Sequence, residues 1–278
     1  MKDRLSGMKN LLWAAGILLV LAALLVGLVF AMSTRYQGER DSGTLVLGAE
    51  QKQTRKAKAE SAAVDNAAAS GTLNELPSTP KSGLDAVFGM TFLCDRTIAG
   101  LRDYSNNYAA DASAQIWMPE APGQLTAVDA ADTPIVFVDG SQITPANAAM
   151  VARPNTVVIY LGGDDLFNET EESFMEGYTL LIESIRNSSP NTRIICCSLA
   201  SVGTNYSRTG ELTPDMIANA NSWIRRICIQ TGAWYADLAS VLNNEEGYMR
   251  DEFFAADGRG LNAAGISQIV DYFRFHGI

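Results

Sequence analysis

The run Thr156-Val157-Val158-Ile159-Tyr160-Leu161 is apolar on both faces of any strand it could form. A half-buried strand alternates polar and apolar residues. This one does not, so it belongs inside a sheet covered on both sides. Short runs of the same kind occur at 89–94, 113–117, 134–138, 192–198 and 233–236. Amphipathic stretches separate them at 97–105, 144–152, 170–188, 214–231 and 262–275. Alternation of strand-length and helix-length segments predicts an α/β fold, a doubly wound three-layer sandwich around a parallel sheet. Ligands of such sheets bind in the crevice beyond the carboxyl ends of the strands. Cys94-Asp95-Arg96, Gly162-Gly163-Asp164-Asp165 and Ser198 all fall at such ends.

The N-terminal part reads differently. Residues 1–10 are polar and carry Lys2, Arg4 and Lys9, and residues 11–31 contain no charge. At about 1.5 Å per residue a helix over 11–31 spans the ~30 Å hydrocarbon core. The expectation is one transmembrane signal anchor ahead of the α/β domain, with 1–10 cytoplasmic and the C-terminal domain outside a single-pass cell membrane. Arg35 and Arg40 follow the run, so the charge bias that sets orientation is weak. A signal peptide cleaved near Val29-Phe30-Ala31 is the alternative, although its apolar region usually spans only about 7–15 residues. Residues 32–82, rich in Ala, Ser, Gly, Lys, Glu and Gln with Pro77 and Pro80, read as a flexible tether. Residues 83–278 are long enough for one sizeable core.

Composition narrows the chemistry. A formal net charge of -10 argues against nucleic acid, which needs clustered Lys and Arg. The four cysteines, Cys94, Cys196, Cys197 and Cys228, have no zinc-site spacing. Buried thiols are one reading, and a disulfide in an extracytoplasmic domain is the other. No metal and no cofactor is expected. The chain has one histidine, His276, three residues from the C-terminus, whereas most hydrolytic mechanisms use a histidine base.

Three segments carry a family likeness. Asp95-Arg96-Thr97-Ile98-Ala99-Gly100-Leu101 follows the first strand, Gly162-Gly163-Asp164-Asp165 follows the fourth, and Asp257-Gly258-Arg259-Gly260-Leu261-Asn262 precedes the last helix. Glu120-Ala121-Pro122-Gly123 between them is a weaker fourth match. In this order they resemble the blocks of the SGNH (GDSL-type) hydrolases. The resemblance implies an SGNH-hydrolase-like, flavodoxin-like sandwich. It also implies an ester-cleaving site with a serine after the first Asp, a backbone donor at Gly123, an asparagine donor, and a histidine held by Asp257.

Laid on that pattern, this chain departs at the reacting positions. Arg96 stands for the serine, Asp164 for the asparagine, Gly260 for the histidine and Cys94 for the glycine of the first turn. The positions retained are Asp95, Gly123, Gly162, Asp165, Asp257 and Leu261. A guanidinium stays protonated and cannot attack, glycine has no base, and an ionised Asp164 repels an oxyanion. In a serine protease, loss of either Ser or His costs on the order of a millionfold in turnover. Thr97 and Cys94 are the substitute nucleophiles to weigh, and both lack a neighbouring base.

The sequence therefore leads to a membrane-anchored, extracytoplasmic pseudoenzyme that binds a cell-envelope ligand or a protein partner. Its ligand-binding candidates are Asp95, Arg96, Gly123, Gly162, Asp164, Asp165 and Asp257. For Arg96 three roles are open: an ionic lock filling the old crevice, a bidentate grip on a carboxylate or phosphate, and a neighbour of carboxylates that hold a cation. Two alternatives for the whole domain remain. One is an active acyl-ester hydrolase with a non-standard set, and the other is a structural presenter with a sealed crevice.

Overall fold

The computed structural model describes residues 71–108, 116–121, 125–163, 166–207 and 212–278. They belong to one compact unit, 68–278. In chain order the elements are β1 (Asn74–Glu75), α1 (Leu84–Phe88), β2 (Thr91–Cys94), a 3-10 turn (Arg96–Ile98), α2 (Gly100–Tyr108) and β3 (Ile116–Trp117). Then come β4 (Ile135–Val136), β5 (Gln142–Ile143), α3 (Pro145–Ala152), β6 (Thr156–Tyr160) and a 3-10 turn (Leu166–Asn168). The last elements are α4 (Glu171–Ser188), β7 (Arg193–Cys197), α5 (Pro214–Thr231), β8 (Trp234–Ala236), α6 (Ala239–Leu242) and α7 (Ala263–Phe275).

Six strands form one sheet in the order β1-β8-β7-β6-β2-β3, and every neighbouring pair is parallel. β6, apolar on both faces, lies between β2 and β7 and is buried at all five residues. Helices α1, α2, α6 and α7 pack together on one side, and α3, α4 and α5 on the other. This is the doubly wound three-layer sandwich expected from the alternation. The chain winds from β2 outward to β3, then returns to place β6 on the other side of β2. The loops after β2 and β6 therefore part in opposite directions and leave a crevice between them.

Local chemistry sets the helix starts. Thr170 and Ser173 form a capping box at the head of α4. Thr213 caps α5 with Pro214 in its first turn, and Gly232 ends it in the left-handed conformation. The side-chain carbonyl of Asn262 accepts the Ala264 and Gly265 N–H groups (2.9 and 3.1 Å), which fixes where α7 begins.

Three differences from the sequence reading have physical reasons. The fold class is corrected at its N-terminal addition: among the described residues no helix is long and apolar enough to cross a membrane. The 11–31 run lies outside those residues, and the fold of the described residues is the α/β sandwich alone. Next, 134–138 does not join the parallel sheet. Its residues Ile135 and Val136 pair antiparallel with Ile143 and Gln142 across a short turn. Finally, residues 74–82, read as tether, are built into the domain. β1 pairs with β8, and the following segment bonds the C-terminal end through Thr79 N–H to Phe275 O (2.6 Å) and Ser82 N–H to Arg274 O (2.7 Å).

Candidate functional site

Asp95 is the first residue beyond β2 and is 1% exposed. Its backbone N–H donates to Tyr160 O at the end of β6 (3.0 Å). Its Oδ1 accepts the Thr97 N–H (2.8 Å), capping the 3-10 turn, and its Oδ2 accepts the Gly163 N–H (3.2 Å). One buried carboxylate thus ties together the two loops that bound the crevice. A buried carboxylate needs such donors, since its desolvation is otherwise costly.

The loop after β6 can reach Asp95 because of Gly162. Its φ is +117°, and a Cβ there would stand 2.7 Å from the Phe174 ring. Both the backbone conformation and the space exclude a side chain. The next residue, Gly163, is the point on which the site converges. A Cβ on Gly163 would lie 3.3 Å from Asp95 Oδ2, 3.4 Å from Arg259 Nη2 and 3.5 Å from Thr97 Oγ1. Arg259 is buried, and its Nη2 donates to the Gly163 carbonyl. The segment before α7 is stitched to the 3-10 turn by the Leu261 N–H, which donates to Thr97 O (2.9 Å).

Asp257 lies at the rim. Its Oδ1 accepts the N–H groups of Arg259 and Gly260, both at 3.0 Å. Burial alone raises its pKa, but these two hydrogen bonds and the nearby Arg96 charge outweigh burial and hold the carboxyl below its ordinary value. Gly260 is not crowded: a Cβ there would meet Asp257 Oδ1 and Oδ2 at 3.7 and 3.8 Å, ordinary contact distances. Arg96, half-buried, begins the 3-10 turn and lines a separate pocket of ≈ 220 Å³ with Arg102 and Glu120.

The structure therefore brings Asp95, Arg96, Gly162, Asp257 and Gly260 to the strand ends. Gly123, Asp164 and Asp165 lie outside the described residues. The guanidinium on the crevice floor is that of Arg259, while Arg96 lines the pocket beside α2 and its charge acts on Asp257. Sequence reasoning passed over Arg259 because it sits one residue before the position compared with the family histidine, in a Gly-Arg-Gly turn that reads as exposed loop. The signal was present as a lone basic residue inside a block otherwise matched to the site.

The substitute nucleophiles fare as follows. Cys94 is fully buried, and burial first, with the Asp95 charge second, pushes its thiol far above the ordinary range, so no thiolate forms near neutral pH. Cys196, Cys197 and Cys228 are also buried free thiols, so the disulfide alternative is not realised. Ser198 Oγ is engaged, accepting the Ala239 N–H (2.8 Å) and donating to Asp237 (3.1 Å). Thr97, Ser201 and Arg259 line one very small cavity of ≈ 10 Å³. Buried Tyr160 has its pKa raised, by burial first and the Asp95 charge second, and its oxygen accepts the Ala200 N–H (2.9 Å).

His276 is far from all of this. α7 begins after the Asp257 loop and runs 13 residues, about 20 Å, toward the amino ends of the strands. There His276 stacks on Tyr272, with Nδ1 2.9 Å from Tyr272 O and Nε2 3.2 Å from Ser78 Oγ. It shares a surface depression with Met90, Thr156 and Arg193, residues at the amino ends of β2, β6 and β7. Among the described residues no group of three or more His, Cys, Asp or Glu side chains could hold a metal ion.

A doubly wound parallel sheet with an Asp after its first central strand, a glycine turn after the next, and an Asp-rimmed loop before its last helix defines a hydrolase-type crevice. The chain belongs to the GDSL-like lipase/acylhydrolase family, whose model matches residues 100–265. No curated protein sequence matches it. Among solved structures it is similar to a candidate acylhydrolase from Bacteroides fragilis (12% identity, 66% of this chain and 84% of that one, TM-score 0.50). It is also similar to a GDSL-like lipase from Bacteroides thetaiotaomicron (13%, 65% and 83%, TM-score 0.49). A third is a family 3 carbohydrate esterase from Talaromyces cellulolyticus (16%, 66% and 93%, TM-score 0.47). At these identities the likeness is one of fold.

Proposed function

We propose that this GDSL-family chain binds a ligand at its crevice mouth without cleaving an ester, and that the ligand or partner belongs to the cell envelope. The observation that carries the reading is the position of the only imidazole. A serine-type mechanism needs a base within hydrogen-bond reach of its nucleophile, about 2.6–3.2 Å. His276 stands by the amino ends of the strands, and on the family pattern the nucleophile and base positions fall on Arg96 and Gly260. What the crevice retains, Asp95, Gly162 and Asp257, organises backbone and transfers no proton to a leaving group. Arg259 on the crevice floor adds to this, since its guanidinium lies where the loops meet.

The test is hydrolysis of a short activated acetyl ester by the purified full chain. The expected result is background turnover, unchanged by Thr97→Ala, Ser201→Ala or Cys94→Ala. Turnover above background that one of these substitutions abolishes would defeat the proposal. It would support the second reading, hydrolysis by a non-standard set. That reading draws on family membership and on the meeting of Thr97, Ser201 and Arg259 around one cavity.

A further inference from the structure

A second cavity, of ≈ 550 Å³, lies at the other end of the strands from the crevice, and its walls are all described residues. Its volume is within the usual range of small-molecule sites. Strand register lays its floor. Thr91 pairs with Val157 and Thr156 with Arg193, so Met90, Thr156 and Arg193 stand in one row across the amino ends of β2, β6 and β7. The Phe92 ring packs against Phe273 of α7, with 5.6 Å between centroids, so that face of β2 looks toward α7. Met90, two residues earlier, shares the face. α1 and the segment 79–82 close the sides.

The polar walls are fixed by backbone, which leaves their side chains to the cavity. The Thr79 and Ser82 N–H groups donate to Phe275 O and Arg274 O, and Ser82 O accepts from Arg274 Nε (3.2 Å). The hydroxyls of Thr79, Ser82 and Thr156 form no hydrogen bond among the described residues. Thr156 is 5% exposed, and so buried a hydroxyl is costly without a partner. Two opposite charges also line the cavity. Arg193 is tied to Ile278 O through Nη1 (3.0 Å), and Asp85 stands on α1, just ahead of β2. β6 separates β2 from β7, so the two walls stand about two strand spacings, or about 10 Å, apart. Over that length the charges offset one another for a ligand that spans the cavity, while hydroxyl groups find donors and acceptors on both sides. Met90, Ile195 and Phe273 supply apolar surface between them. We propose that this cavity binds an uncharged, hydroxyl-rich ligand of one or two sugar rings, with Thr156, Thr79 and Ser82 bonding its hydroxyls and its apolar face lying on Met90 and Phe273. The site is separate from the crevice and stands independently of the reading given above. A free sugar and the end of a polysaccharide share this chemistry, and the ligand arms below separate them.

The experiment is calorimetric titration of the full chain with D-glucose and N-acetyl-D-glucosamine and with the β-1,4-linked dimer and hexamer of each. D-glucuronate and D-glucosamine, the same ring with a charge, run beside them. At least one uncharged sugar should bind with a Kd of about a millimolar or below, and neither charged ring should bind more tightly than it does. Thr156→Val keeps the shape of the side chain and should weaken binding about fivefold or more. The same variant should leave Tm unchanged or raised, because the hydroxyl it removes has no partner in the protein. Ala86→Phe, at an exposed position on α1, narrows the cavity mouth and should abolish binding of the dimer. Equal binding of dimer and hexamer identifies a chain end, and a tenfold preference for monomer or dimer over hexamer identifies a free sugar. No binding of any uncharged sugar, or a charged ring bound tenfold more tightly, would overturn the assignment. So would binding that both variants leave as in wild type, or a Tm lowered by Thr156→Val.

Discussion

Replacing Arg259 with methionine tests which arginine fills the crevice. The substitution keeps an unbranched side chain of similar length and removes the charge. Two losses follow. The Gly163 carbonyl loses a charge-assisted hydrogen bond, worth about 1.5–3 kcal/mol. The Asp95 carboxylate, 1% exposed, loses the cation that converges with it over Gly163. Removing one member of a buried charged set costs about 3–5 kcal/mol, because the other charge is left uncompensated. These overlap, so the expected loss is about 3–4 kcal/mol. Urea unfolding followed by circular dichroism reads it directly. With an m-value of about 2–3 kcal/mol/M the midpoint falls by about 1–2 M. Arg259→Lys should recover less than half, since an ammonium lacks the planar set of donors. Arg96→Met, at a half-buried position on a pocket rim, should cost less than about 1 kcal/mol. A midpoint for Arg259→Met within about 0.3 M of wild type, or a larger loss for Arg96→Met, would refute the assignment of the crevice floor to Arg259.

Other consequences are sharper in kind than in size. Gly162→Ala combines a positive φ with a Cβ 2.7 Å from Phe174, so it should cost about 2–4 kcal/mol and lower Tm by roughly 5–10 °C in a scanning melt. Asp257 has a folded pKa below its ordinary value of 3.8, so between the two values the unfolded state binds more protons. Its contribution to stability is complete above the unfolded pKa and is lost as pH falls through the folded one. The stability gap between wild type and Asp257→Asn should therefore close as pH is lowered below about 4, and a gap independent of pH would contradict the hydrogen-bond pattern. All four thiols are buried, so a thiol reagent should titrate none in the native protein and four in guanidinium. Gly260 has room for a side chain facing Asp257, so the pair Arg96→Ser with Gly260→His should raise acetyl-ester turnover at least about tenfold above wild type, and Asp257→Ala in that background should remove the gain.

The sequence foretold the sheet well except at its β1 edge, for a physical reason. β6 and β7 must be apolar on both faces because helices cover both, and that need is written in the residues themselves. β1, two residues at one edge of the sheet, carries too few side chains to show a period, whereas β3 at the other edge lies within the run 113–117. β4 was legible as a strand, but its pairing with β5 depends on a turn at Asp139-Gly140 and not on its own composition. The site divides along the same line. Asp95, Gly162 and Asp257 were found from the family pattern, and each has a task in backbone geometry: two loops tied, a left-handed turn, two N–H groups satisfied. Arg259 meets its partner 96 residues away in sequence, a contact that no local pattern announces. Changing Asp95 or Gly162 disturbs the joint between β2 and β6, and so the fold. The Gly260 N–H joins the Arg259 N–H on Asp257 Oδ1, so the loop before α7 is likewise held through its backbone.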